Sequence, residues 1–375
     1  MTAPCIWEVS ASPYHSDFLN GTIKFGENEP VYLIDQFSGK RPAIINQDFL
    51  LNGEIHMNFG ACALFDSNVV DKMDSFVRTG KASDGFNAFL DFLTRKGWDF
   101  SLLFYYFEHF TKSSHEHFFP NAVRRTRSLL ALHAMDENLY LATGIVKENP
   151  EAVRHYTNGL DASALDDVAE NRVNDFIKRT SKSQLTVMVE SIEIVLLKMV
   201  LIRRFEMTDA EPLAQHEELH RFMKEDLNIV LARELHLGIH YFCDNAGKLL
   251  GIQKNTSFEK AMKNIKSTAW DMFLTRLPDM IPYDVSGGVF LNYMATQEKN
   301  LHELANLFSI EQVISFDGER GLPVIGYNMV NICDDIISAL PKPDTSRLFK
   351  LCERNAIPSG LYESLKRQLS YYLDK

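Results

Sequence analysis

The sequence is short of the features that mark specialised proteins. Its five cysteines, at positions 5, 62, 243, 333 and 352, include no CxxC pair. Neither a disulfide framework nor a thiolate zinc ribbon is therefore expected, and a reducing compartment is. Nineteen glycines and 13 prolines among 375 residues are too few for a collagen-like or low-complexity chain. Long apolar runs are missing too. The most apolar stretch, Ile192 to Ile202, is broken by Glu193 and Lys198, and the opening MTAPCIWEVSAS has no basic segment leading into an apolar one. The expectation is a cytoplasmic protein that does not engage membranes. An excess of base is also lacking: 39 Lys and Arg against 50 Asp and Glu give a net charge of −11, so any phosphate-binding surface must be local. The chain contains no GxxxxGK[ST], GxGxxG or GxSxG string and no fixed-period repeat, which leaves nucleotide hydrolysis and acyl transfer without support.

Aromatic residues, by contrast, are plentiful. With 26 Phe, 13 Tyr and 3 Trp, and 45% hydrophobic residues overall, the chain can bury a substantial core in two or three domains. Residues 1–60 hold short β-prone runs (IWEV, TIKF, VYLI, PAII, IHMNF) separated by Gly, Asn and Pro, a β-rich entry segment. Residues 61–115 open with a compact apolar run, Ala61 to Phe65, that stops at Asp66-Ser67-Asn68 and passes into helical spacing. From 116 to 255 nearly everything reads as helix, with 185–205 apolar around most of its circumference and so central to that block. Residues 256–330 return to alternating helix and strand, and 331–375 to helix. The pattern predicts an α/β domain interrupted by a large all-helical insertion.

In open parallel sheets ligands gather at the carboxyl ends of the strands, where Asp66 is expected. A carboxylate there, followed by Ser-Asn, suits a hydrated divalent cation, and it equally suits a helix N-cap. Glu108, in LLFYYFEHF, lies 42 residues further on, at the margin of an apolar helix face, where a surface position explains it as well. Glu190 and Glu193, in the most apolar helix, are rival carboxylates because burial there demands a partner. Asp271 shares a polar helical stripe with Asn264, Thr268 and Thr275, flanked by Lys263, Lys266 and Arg276. Glu298 follows the strand-like VFLNYMAT and begins a helix, a place the helix dipole alone would favour, and Asp317 in the turn signal FDGERG is its rival.

The run ALFDSNVVDKMDSF resembles the opening strand and first metal-binding aspartate of PIN-like nuclease domains. VFLNYMATQEKNL resembles that family's late strand and Thr-x-Asp-x-x-Leu turn, with Glu298 where Asp is usual. The resemblance covers roughly 60–112 and 256–330. It implies a parallel sheet flanked by helices, with carboxylates gathered at one end. In this chain those would be Asp66, Glu108 and Asp271 as catalytic metal ligands, with Glu298 as the fourth, holding Mg²⁺ or Mn²⁺ to cleave RNA, or DNA, as an endoribonuclease. Clustered carboxylates stay ionised together only beside such a cation, which lowers the pKa of a bound water and stabilises the leaving oxygen. Arg124, Arg125 and Arg127, or Arg203 and Arg204, would hold the phosphate backbone, although solvated helix faces explain them equally well, and the helical insertion would shape access or contact a protein partner.

Two other functions compete. His216-Glu217-Glu218-Leu219-His220 matches HExxH, which on a helix puts both imidazoles on one face for zinc, with Glu217 as base. Glu234, His236 and His240 offer a further ligand. Glu218 is unusual there, and the surrounding polarity suggests an exposed helix. The departure at Glu298 also admits a non-catalytic α/β-helical scaffold that binds a protein partner. The aromatic run Leu102 to Phe107 reads as core rather than as a platform for bases.

Overall fold

In the computed structural model the described residues are 21–37, 43–45, 51, 59–161, 163–253, 255–280, 289–314, 322–339 and 357–373. Asp317 lies outside them. The chain forms two compact units, one built from residues 1–182 and 276–326, the other from 183–275 and 327–375.

The first unit begins with β1 (Ile23–Phe25), β2 (Val31–Ile34) and β3 (Ala43–Ile45), followed by β4 (Phe59–Phe65), α1 (Ser67–Thr79), α2 (Asp84–Lys96), β5 (Asp99–Ser101) and α3 (Leu103–Lys112). It continues through α4 (His115–His133), α5 (Glu137–Thr143), α6 (Pro150–Tyr156) and α7 (Ala164–Arg179). The second unit contributes α8 (Lys182–Leu201), a π-helical turn at Ile202–Glu206, α9 (Pro212–Glu225), α10 (Ala232–Phe242), α11 (Gly247–Leu250) and α12 (Phe258–Leu274). The chain then re-enters the first unit as β6 (Val289–Thr296), α13 (Lys299–Ala305), β7 (Phe308–Ile314) and β8 (Leu322–Tyr327), and ends with α14 (Asp334–Ala339) and α15 (Leu361–Leu373). No helix among the described residues is long and apolar enough to cross a membrane.

A five-stranded sheet in the order β1-β2-β6-β4-β5 centres the first unit. β4 lies parallel to β5 and to β6, while β6 pairs antiparallel with β2 and β2 with β1. The expected parallel sheet is thus a mixed one, and β1 and β2 of the β-rich entry segment are its strands rather than a separate element. Ala61 to Phe65 are all buried, which is why β4 reads as a continuous apolar run rather than an alternating one: a central strand is covered on both faces. Val69, Val70, Met73 and Phe76 of α1 pack with Phe86, Phe89, Leu90 and Leu93 of α2 in the same core, and Phe65 stacks on Phe100 of β5. Tyr105 of α3 is buried in that core as well, and Phe104 beside it in sequence is equally buried, so the aromatic run from Leu102 serves packing.

The block 116–255 is helical as expected, but its helices belong to both units. α4 packs on α1 and on α7 within the sheet-bearing unit, whereas α8 to α10 fall in the second. Strands β3, β7 and β8 form a separate three-stranded sheet.

Candidate functional site

The register of β4 on β6 decides what meets at the sheet's carboxyl end. Phe65 pairs with Ala295, and the next amide, Asp66 N–H, donates to the Ala295 carbonyl at 2.9 Å. Asp66 therefore stands beside Thr296, although 230 residues separate them in the chain. Asp66 leaves the strand with extended backbone angles (φ −67°, ψ 158°) and N-caps α1, its Oδ1 accepting from Ser67 N–H at 2.7 Å. The N-cap reading of this residue is met.

Three carboxylates from three elements are linked there through neutral side chains. Asn68 Nδ2 donates to Asp66 Oδ2 at 3.1 Å and to Glu298 Oε1 at 2.9 Å, so one amide bridges the two acids. Ser67 Oγ donates to Glu108 Oε2 at 2.5 Å. Thr296 Oγ1 donates to Asp66 Oδ2 at 2.8 Å and accepts from the Glu298 backbone N–H at 3.0 Å. The Thr296-Gln297-Glu298 turn is therefore pinned directly onto Asp66. Lys112 Nζ closes the far side at 2.6 Å from Glu108 Oε1.

The electrostatics follow from burial and like charge. Asp66 is 5% exposed. Burial, then the negative charge of Glu108, push its carboxyl up to about 7; the Thr296 hydroxyl opposes this and Glu298 adds to it. Burial acts to raise Glu108 too, but Lys112, with Ser67, overcomes it and holds that carboxyl below its ordinary value. Of the two neighbouring carboxyls, Glu108 has a cation and stays ionised, while Asp66 has hydrogen bonds alone and does not readily ionise.

Asp66, Glu108 and Glu298 are thus brought to one sheet end. Asp271 is placed differently: it lies on α12 of the second unit. The polar stripe it shares is largely spent on backbone there, Asn264 donating to the Leu250 carbonyl and Thr268 to that of Leu249. Glu193 is buried and hydrogen-bonded by the Tyr362 hydroxyl. Sequence reasoning missed Lys112, Asn68 and Thr296 as partners. Lys112 carried the i, i+4 signal of a helical ion pair with Glu108, whereas the Thr296 contact depends on a strand register with no local trace.

No family model matches the chain, nor does any curated protein or solved structure. The site's own chemistry is what remains to judge its fit for a cation. Its donors, carboxylate, amide and hydroxyl oxygens, are hard ligands of the kind Mg²⁺ and Mn²⁺ take. Among the described residues no three His, Cys, Asp or Glu side chains stand ready as a metal cage. The set fits a hydrated ion held by one or two carboxylates, the habit of Mg²⁺. The Asn68 amide hydrogens occupy the position between Asp66 and Glu298 where positive charge is wanted.

The HExxH string lies on α9. That helix is not the exposed one expected: Gln215, His216, Leu219, Phe222 and Met223 are buried. Burial, then His220, push the His216 imidazole down to about 4, so it is neutral near pH 7. Glu218 is taken by Arg221 at 2.7 Å and faces Lys198 at 3.8 Å. In the same unit His240 Nε2 lies 2.8 Å from the Asn328 carbonyl and 3.2 Å from His236 Nε2.

Proposed function

We propose that the chain is a metal-dependent nuclease of PIN-like kind, an endoribonuclease using Mg²⁺ or Mn²⁺. The observation that carries this reading is the gathering of Asp66, Glu108 and Glu298, from β4, α3 and the start of α13, at the carboxyl end of the central strand. In this reading Asp66 and Glu298, bridged by Asn68, with Glu108 beside them, would hold a hydrated cation, which when bound would supply water activation and charge neutralisation at the leaving oxygen. Thr296 holds Asp66 Oδ2 in place. Ser67 and Lys112 keep Glu108 ionised. Asn68 orients the two acids through its amide hydrogens. Asp271 lies on α12 of the second unit.

Purified protein incubated with single-stranded and hairpin RNA in Mn²⁺ or Mg²⁺ is the direct test, beside an Asp66→Asn, Glu298→Gln double variant. Metal-dependent cleavage by the parent and its loss by at least a hundredfold in the variant are expected. Equal cleavage by the two would refute the assignment. A rise in melting temperature with Mn²⁺ that disappears in the variant is the matching binding result.

A further inference from the structure

Helix α1 carries Ser67, Asp71, Asp74 and Arg78 at spacings of four, three and four residues, which places them along one face. Each meets a polar partner on α3 or α4 or on α1 itself. Ser67 reaches Glu108, Asp71 accepts from Arg125, and Asp74 accepts at Oδ1 from Ser128 Oγ at 2.8 Å. The seam that starts at the candidate site therefore runs the length of the helix.

At its far end two arginines share one aspartate. The Asp74 side chain is 3% exposed, yet two guanidiniums lean on its Oδ2 through their Nε atoms, Arg78 at 3.2 Å and Arg124 at 3.3 Å. One buried anion thus holds two cations side by side, 53% and 47% exposed. Engagement through Nε leaves the terminal amino groups of both forks, the atoms that grip phosphate oxygens in pairs. They line an open cavity of about 570 Å³ together with Val77 and Val123. Arg127, Glu148 and Asp166 complete its charged lining, with Arg127 engaged by Glu148 at 2.7 Å and Asp166 at 3.2 Å. A single arginine would neutralise Asp74. The second leaves a further guanidinium fork on the cavity wall, half-exposed to solvent.

We propose that Arg78 and Arg124, oriented by Asp74, form a phosphate subsite for a single strand of nucleic acid passing along α1. The subsite rests on the nuclease reading of Asp66 and extends it to how substrate is held. Twelve residues of α1 separate the two, about 18 Å along the helix, a span of a few nucleotides. Lys112 and Arg125 lie along the same seam.

The test uses the full-length Asp66→Asn chain, metal-free, and a fluorescein-labelled single-stranded 12-mer RNA followed by anisotropy across a salt series. Adding Arg78→Gln and Arg124→Gln should weaken binding at least tenfold and reduce the slope of log K against log salt by about 1.4, since each single-strand phosphate contact contributes about 0.7. Arg221→Gln with Arg367→Gln, which removes the same charge from exposed positions of the second unit, should leave the slope unchanged. An unchanged slope in the Arg78, Arg124 variant, an equal fall in the control, or no RNA binding by the starting chain overturns the subsite. Failure of the nuclease reading looks different: RNA cleavage that ignores Asp66 while the slope still falls by about 1.4 leaves the subsite standing without the chemistry.

Discussion

Asp66 sits under opposed demands. Its strand buries it, its neighbours Glu108 and Glu298 repel its charge, and Thr296 and Ser67 hydrogen-bond the charged form. The balance raises its carboxyl from about 3.8 to about 7 in the folded chain. A folded-state pKa above the unfolded one means that the folded state binds the extra proton. The associated stability is complete below about pH 4 and is lost as pH rises through 7. It amounts to a few kcal/mol at most, since a tenfold change in proton affinity is worth about 1.4 kcal/mol. Asp66→Asn keeps the N-cap acceptor and removes the titration. In EDTA the variant should therefore be the more stable protein at pH 8 by urea denaturation, with its advantage shrinking steadily towards pH 4. A parent that gains on the variant as pH rises would show that Asp66 ionises easily and that its neighbours do not crowd it. His216 acts in the opposite sense. Its depressed pKa gives stability that is complete above about 6.5 and is lost as pH falls towards 4, so the acid limb of the profile should survive in Asp66→Asn.

At the scale of elements, the turn between β1 and β2 fits flush against the start of α2. A Cβ on Gly85 would stand 2.6 Å from the Glu29 carbonyl oxygen and 2.8 Å from that of Phe25, both backbone atoms that cannot swing aside. Gly26, at φ +76°, meets the same glycine from the other side. Alanine is the better helix former by about 1 kcal/mol, yet Gly85→Ala should destabilise by about 1–3 kcal/mol through overpacking, read as a lower urea midpoint. A stabilised variant would mean that the turn does not pack there. What was legible at this scale was what is local. Ala61 to Phe65 announced a doubly covered strand, Asp66-Ser67-Asn68 a capped helix, and Glu108 a helix margin, because burial period and capping chemistry are written within a few residues. The antiparallel β2 was not legible, since its place is fixed by Tyr32 facing Thr296 across most of the chain. The stripe of Asn264, Thr268 and Asp271 was visible, but its partners were not. Loop carbonyls at Leu249 and Leu250 satisfy two of its members, and a polar stripe reads the same whether it meets water, metal or backbone.

At the scale of the whole molecule, a net charge of −11 and a binding track for polyanions are compatible because they act over different distances. The overall field repels an approaching strand from afar and is screened within about 10 Å at 0.1 M salt, whereas Arg78 and Arg124 act in contact. The two contributions separate kinetically, since long-range charge governs approach and contacts govern residence. Glu170, Glu217 and Glu259 are exposed acids on α7, α9 and α12. Replacing all three with Gln relieves repulsion and alters no residue of the seam along α1. At about 30 mM salt, where charges are felt beyond about 10 Å, stopped-flow association of the same RNA 12-mer should quicken severalfold. Dissociation should not change, and the gain should vanish at about 0.5 M salt. Slower dissociation in the triple variant would place the strand against those acids and not along α1. Unchanged association at low salt would mean that the overall charge has no part in capture, leaving the contact residues alone to set both rates.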